Sequence, residues 1–228
     1  MKDAADPATP VAYIDESKKP QRDAATGAPV DGLRYAAASA VLMRGDAQGL
    51  RVALTGLASS LGVERLHYAD LPAARKALVA VELASLPDWD ALATVTDRAA
   101  PIRRDSTVRR AVLSSQLPAL HERYGVRTAV LETRIRSSDA FRRLDLEDVH
   151  LVESLRQSGR LPDHFRIAHA GKAEPLLWLA DFLASSCTDF VCRANPTPWL
   201  ILTHRVELDH VPLRAPKSGP ENAEAPGH

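Results

Sequence analysis

Three carboxylates stand where acids are rare, at the ends of apolar segments or inside one. Asp15, with Glu16 beside it, closes the run Val11-Ala-Tyr-Ile, and Glu132 closes Thr128-Ala-Val-Leu. Asp181 sits within Leu176-Leu-Trp-Leu-Ala-Asp-Phe-Leu-Ala, apolar on nearly every side of a helix. An unpaired carboxylate there costs at least a few kcal/mol, so Asp181 needs an arginine, backbone donors or a metal ion as partner. Period-two alternation puts Val11, Tyr13 and Asp15 on one face of a strand and Glu16 on the other, from which Glu16 could orient ligands from behind. Acids from three distant segments could converge on one divalent cation, and hard oxygen ligands suit Mg²⁺ or Mn²⁺. Each acid also has a plain structural use. Asp15-Glu16 could open a loop, Glu132 could pair with Arg134 on the surface, and Asp181 could pair with a buried arginine.

Two arginine clusters are the other chemistry-bearing feature. Arg98, Arg103, Arg104, Arg109 and Arg110 face a single acid, Asp105; Arg134, Arg136, Arg142 and Arg143 face Asp139. Guanidinium clusters fit contacts to a phosphate backbone, and Arg103, Arg104, Arg109, Arg110, Arg134 and Arg136 are the candidate nucleic-acid contacts. Against this stands the arginine-rich composition, 23 Arg to 6 Lys, which makes solvated arginine faces commonplace. Interleaved aromatics for stacking single-stranded bases are lacking. No P-loop, Gly-x-Gly-x-x-Gly, Gly-x-Ser-x-Gly or His-Glu-x-x-His occurs, which removes the common nucleotide-binding, serine-hydrolase and zinc-protease readings.

The elements that must position these groups follow from the hydropathy pattern. Val11–Asp15 reads as a short buried strand, then Ser17–Gly32 as a polar loop, and Leu33–Met43 as a second strand. Helical spacing covers 48–61, 71–86, 106–124, 145–158 and 174–191. Strands are predicted at 65–68, 90–96, 127–132 and 165–167, with a terminal one at 199–208. Strands first, then strands alternating with helices, predicts an α/β fold: a mixed β-sheet flanked by helices. Residues 11–210 read as one domain, between tails at 1–10 and 215–228 whose low hydrophobicity predicts disorder.

Composition agrees. The 228 residues are 45% hydrophobic and 25% charged, enough to build a core without disulfides or a structural metal. The 29 basic and 29 acidic residues cancel, which excludes a globally basic nucleic-acid-coating protein and a strongly acidic disordered one. Cys187 and Cys192, five apart, cannot form a zinc site and read as buried free thiols of a reducing compartment. With no apolar run approaching the ~20 residues of a membrane span and no apolar leader, the expectation is a cytoplasmic protein without a membrane partner.

Several of these segments, in this order, resemble one family. Tyr13-Ile-Asp-Glu-Ser17 is similar to the opening signature of the domain of unknown function 3800, whose ribonuclease-H-like members begin with a strand ending Asp-Glu-Ser-Gly. Leu66-His67 with Ala69-Asp70-Leu71 resembles the family's Glu-aliphatic-His block before a long helix. Leu177-Trp-Leu-Ala-Asp181-Phe-Leu-Ala resembles its late helix, and Glu132 stands where the family often ends a strand in an acid. The resemblance spans about residues 11–190. It implies a ribonuclease-H-like fold and metal-dependent cleavage of a nucleic-acid phosphodiester in RNA, DNA or a hybrid. Asp15, Glu132 and Asp181 would be the metal ligands, and His67 a site residue near the scissile phosphate. On the residues alone, a single histidine near a strand end, as His67 is, more often serves structure than chemistry. Lys18 replaces the family's Gly, Arg65 its acid and Trp178 a frequent Gln. Losing the acid at 65 bears on a second metal, because two-metal chemistry needs carboxylates enough for both ions. The alternative is a catalytically inactive binding or interaction protein that kept the fold.

Overall fold

The computed structural model describes residues 6–23, 25–100, 105–133 and 139–213, with the side chains of 29–31, 105 and 139–144 outside the description. Two long antiparallel strands open the chain, β1 (Pro10–Arg22) and β2 (Pro29–Met43), joined by a turn in which Asp23 Oδ1 accepts from the main-chain N–H groups of Ala25 and Thr26. Helices α1 (Ala47–Ser60) and α2 (Ala73–Ser85) lead to β3 (Asp90–Thr96), antiparallel to β2. The chain continues through α3 (Asp105–Tyr124), β4 (Thr128–Glu132), α4 (Asp139–Gln157), β5 (Arg166–Ala170), α5 (Pro175–Val191), α6 (Thr197–Leu202) and β6 (Val206–Val211). The six strands lie in the order β5-β4-β1-β2-β3-β6, with β4 parallel to β1, β5 parallel to β4, and β6 parallel to β3. An antiparallel β1-β2-β3 meander extended by parallel strands on both sides, with helices on both faces, is an α/β fold of the ribonuclease-H-like kind, as expected from the sequence.

Strand periodicity decides what each face holds. Val11 and Tyr13 of β1, Ala36, Ala38 and Ala40 of β2 and Ala93 and Val95 of β3 face α1, α2, α5 and α6, in a core around Leu176, Leu179, Phe182 and Leu183. Ala12, Ile14, Ala37 and Leu92 point the other way, toward Val112, Leu113 and Leu117 of α3 and Leu151 and Leu155 of α4. The alanines of β2 let helices approach both faces closely, and α5, apolar nearly all round, is buried against β1 and β2. Of the residues expected in this core, Leu176, Leu177, Leu179, Ala180, Leu183 and Ile14 are at most 2% exposed, whereas Val130 is partly buried. Among the described residues, no helix is long and apolar enough to cross a membrane.

Three elements differ from the sequence expectation. The polar stretch 17–32 is largely strand: β1 runs past Asp15 and Glu16 to Arg22, and Lys18 and Lys19 lie opposite Tyr35 and Arg34. Ladder bonds use the main chain, and Lys19 finds its charge partner in buried Asp189, so polar side chains do not end the strand. Residues 65–67 form no strand and lead into a 3₁₀ turn, Tyr68–Asp70. The stretch 199–208 splits into α6, which starts with Thr197-Pro198 and buries Trp199 and Leu202, and β6.

Candidate active site

Strand register brings the first two acids together. The parallel pairing that sets Ile14 beside Leu131 leads directly to Asp15 and Glu132, on neighbouring strands ~4.8 Å apart and on the same sheet face. That face is the one α5 covers, and the helix delivers Asp181 to it from above. Asp15, Glu132 and Asp181 line one cleft of about 200 Å³, together with Arg65, His67 and Lys172 and the apolar wall of Leu66, Leu177 and Trp178.

The electrostatics record a concentration of negative charge. Burial and then the carboxylates of Asp181 and Glu132 hold the Asp15 carboxyl well above its ordinary value, against one stabilising bond from the Glu16 N–H at 2.7 Å. Burial likewise raises Asp181, opposed by the main-chain N–H of Tyr68 at 2.9 Å and the nearby charge of His67. Ser185 Oγ reaches Asp181 Oδ1 at 3.5 Å. No arginine pairs with Asp181 among the described residues, so a buried Asp–Arg pair is not its explanation. Lys172 Nζ lies 3.4 Å from Glu132 Oε1, and the Trp178 indole N–H donates to the Lys172 carbonyl at 2.7 Å, fixing the loop that carries this lysine. His67 stands on the rim with Nδ1 3.0 Å from Asp70 Oδ2. Asp15, Glu132, Asp181 and His67 thus meet in one place.

Glu16 also touches this cleft, but its carboxylate turns to the opposite sheet face. There it accepts from Arg109 Nε at 2.7 Å and from the Tyr35 hydroxyl. The same guanidinium makes a two-pronged pair with Asp148, one prong at 3.0 Å, and His169 Nε2 lies 3.1 Å from Asp148 Oδ2. Arg109, named above as a nucleic-acid contact, is therefore corrected: it is 6% exposed, and its donors are spent on Glu16 and Asp148. Its burial opposes the charge, but the two carboxylates keep it ionised. Arg110 is exposed at the start of α3. Arg103, Arg104, Arg134 and Arg136 lie outside the described residues, as do the side chains of Arg142 and Arg143.

Sequence reasoning missed this second layer. Asp145, Asp148 and His169 bring one ligand atom each within 4.8 Å of one another, a tighter group than Asp15, Glu132 and Asp181 make. Two carboxylates and an imidazole are compatible in chemistry with a divalent cation. Arg109, however, already takes both oxygens of Asp148, and Thr133 Oγ1 donates to Asp145 at 2.9 Å. A signal did exist: Asp145 and Asp148 are three apart on one helix face, and His169 alternates with Ile167 toward that helix. Lys172 had none, being one polar residue in a short loop.

Strand order and cleft together define an α/β protein of ribonuclease-H-like fold, with an acidic cleft over the middle of β1 and the C-terminal end of β4. No family model and no curated protein matches the chain. Among solved structures it is similar to a chain of the complex of PCNA with RNase HII from Archaeoglobus fulgidus, at 16% identity over 80% of this chain and 74% of that one, with a TM-score of 0.46. The assignment of fold stands on strand order and connection, independently of that likeness.

Proposed function

We propose that this chain is a divalent-metal-dependent nuclease of the kind its sequence resembles, the domain of unknown function 3800. The observation that carries the reading is the convergence of Asp15, Glu132 and Asp181 from three elements on one cleft, close enough together for their charges and burial to raise the Asp15 carboxyl. Crowded carboxylates of this kind are what a hard cation relieves, and the donors are all carboxylate oxygens. Asp15, Glu132 and Asp181 would hold Mg²⁺ or Mn²⁺. An ion held there would supply a water of lowered pKa and offset charge at the phosphate. Around it, Arg65 and Lys172 orient the phosphodiester through its non-bridging oxygens, and Trp178 and Leu177 keep one wall of the cleft dry. His67 would carry a proton at the rim, with Asp70 Oδ2 3.0 Å from its Nδ1. The tie from Glu16 to Arg109 anchors the middle of β1 behind Asp15. RNA, DNA or a hybrid is the partner, and Arg110 is an exposed positive group for its backbone.

One observation favours a second reading, an inactive binding protein of the same fold. Lys172 on Glu132 and Arg65 at the cleft place positive side chains where an ion's charge would act. Labelled RNA, DNA and hybrid, each incubated with Mn²⁺, Mg²⁺ or chelator, separate the two. Cleavage of at least one substrate, dependent on the ion and absent in Asp181→Asn, is the expected result. Intact substrates under every condition, or cleavage that survives both chelator and Asp181→Asn, would remove the nuclease reading.

A further inference from the structure

Among the described residues, Arg34 is a buried cation without an anion. It lies in β2 opposite Lys19, on the sheet face that α5 covers, and is 8% exposed. One guanidinium nitrogen donates to the main-chain oxygen of Asp97 at 2.9 Å, and Nε is buried with no acceptor at all. Among the described residues, no carboxylate comes within ion-pairing distance of it. Its neighbours are treated differently: Lys19 has Asp189, and the other buried arginine, Arg109, has Glu16 and Asp148. The thiols of Cys187 and Cys192, which sense the charge of Arg34, supply no anion, because burial pushes Cys187 up to about 12 and raises Cys192 as well. A largely buried guanidinium with no counter-ion among the described residues is disfavoured, so a bound anion would be its natural partner.

The opening for it is present. A shallow pocket of about 430 Å³ reaches Arg34 between the end of α5 and the segment leading to α6, within the size range of ligand sites. Phe190, Val191 and Pro196 form apolar walls, and Arg193 puts a second guanidinium at the mouth. Arg193 closes α5 in the left-handed conformation, φ 56°, where glycine is the usual residue, and it is exposed. Two guanidiniums, one buried and one at the rim, suit a doubly charged oxyanion held by forked hydrogen bonds better than a single carboxylate. The apolar walls suit a sugar or base attached to it.

We propose that this pocket binds a phosphate group carried by a nucleoside, with Arg34 as the inner counter-ion and Arg193 as the outer clamp. The site is separate from the acidic cleft: Asp181 and Val191 are ten residues apart on α5, ~15 Å along the helix. The inference therefore stands whether or not the cleft is a nuclease. A free nucleotide and the terminal or internal phosphate of a nucleic acid present the same chemistry here.

Calorimetric titration of the full chain in chelator, so that the acidic cleft holds no metal, tests it with inorganic phosphate, adenosine monophosphate, adenosine and a short oligonucleotide. Phosphate-bearing probes are expected to bind and adenosine not to. Arg34→Gln should weaken binding by about thirtyfold or more, as for a lost partner in a buried charge pair. Tighter binding of the mononucleotide assigns the site to a free ligand, and tighter binding of the oligonucleotide to a nucleic-acid phosphate. Arg193→Gln, at an exposed position, keeps the test decisive if Arg34→Gln does not fold: it should weaken binding severalfold. No binding of any phosphate probe to the folded wild type overturns the proposal, as does an affinity unchanged in Arg193→Gln.

Discussion

Arg109→Met is expected to unfold at much lower urea concentration than the wild type, with a loss of about 3–5 kcal/mol at neutral pH. The methionine fills the volume but takes the guanidinium from buried Asp148 on α4 and partly buried Glu16 on β1, which it bridges across the sheet-to-helix interface, leaving them only the His169 ring and the Tyr35 hydroxyl among the partners described above. The pH dependence identifies the cause. Burial would raise the Asp148 carboxyl, but hydrogen bonds from His169 and Arg109 outweigh it and hold the group below its ordinary value. A depressed carboxyl contributes stability that is present above its unfolded pKa and lost as pH falls through the folded one. The deficit of Arg109→Met should therefore be largest at neutral pH and shrink as the medium is acidified below the ordinary carboxylate range. Adding Asp148→Asn should restore part of the loss, since the partner no longer carries an unpaired charge. A single variant within about 0.5 kcal/mol of wild type at neutral pH, the range of a surface change, would show the network to be dispensable.

The acidic cleft should show the opposite pH behaviour. Asp15 and Asp181 have raised carboxyl groups, so their contribution is fully present below the unfolded pKa and is lost as pH rises through the folded values. In chelator, the wild type should lose stability between the ordinary carboxylate range and neutrality, and Asp15→Asn should flatten that decline. At neutral pH the variant should be more stable than wild type by about 0.5–2 kcal/mol, the usual gain on relieving a destabilised functional site. Chemical unfolding in chelator across this pH range reads it directly. A variant less stable than the wild type at neutral pH would mean that Asp15 is a structural group whose charge the fold needs.

How far these sites can be read in the sequence depends on the range of the interactions involved. Alternation along Val11–Asp15 and Thr128–Glu132 assigns both acids to the α5 face, because the two-residue period is a local property that the sheet preserves. The apolar surroundings of Asp181 likewise show a carboxylate needing a partner. That partner is partly the N–H of Tyr68, from a 3₁₀ turn whose position depends on packing and not on local pattern. The second half of β1 was illegible because Ser17, Lys18 and Lys19 carry a loop's polarity. What holds them in a strand is β2 opposite, and Ser17 also meets Thr188 of α5 at 2.9 Å. Arg109 was misread for a related reason. In an arginine-rich chain, clustering does not tell an exposed guanidinium such as Arg110 from one whose acids, Glu16 and Asp148, lie 93 and 39 residues away.

The central claim, that Asp15, Glu132 and Asp181 form a divalent-cation site, is tested most directly by the melting temperature of the wild type and of Asp181→Asn, each with and without Mn²⁺. Asparagine keeps an oxygen for the Tyr68 N–H and removes the charge, so the metal-free variant should melt no lower than the metal-free wild type. A cation binding only the folded state at a hundred times its Kd adds ~2.7 kcal/mol, which in a domain of this size raises the wild-type melting temperature by ~5–10 °C. Asp181→Asn should show little or none of that rise. A wild type indifferent to Mn²⁺, beside a variant that is severely destabilised without it, would contradict the claim and leave Asp181 a structural acid.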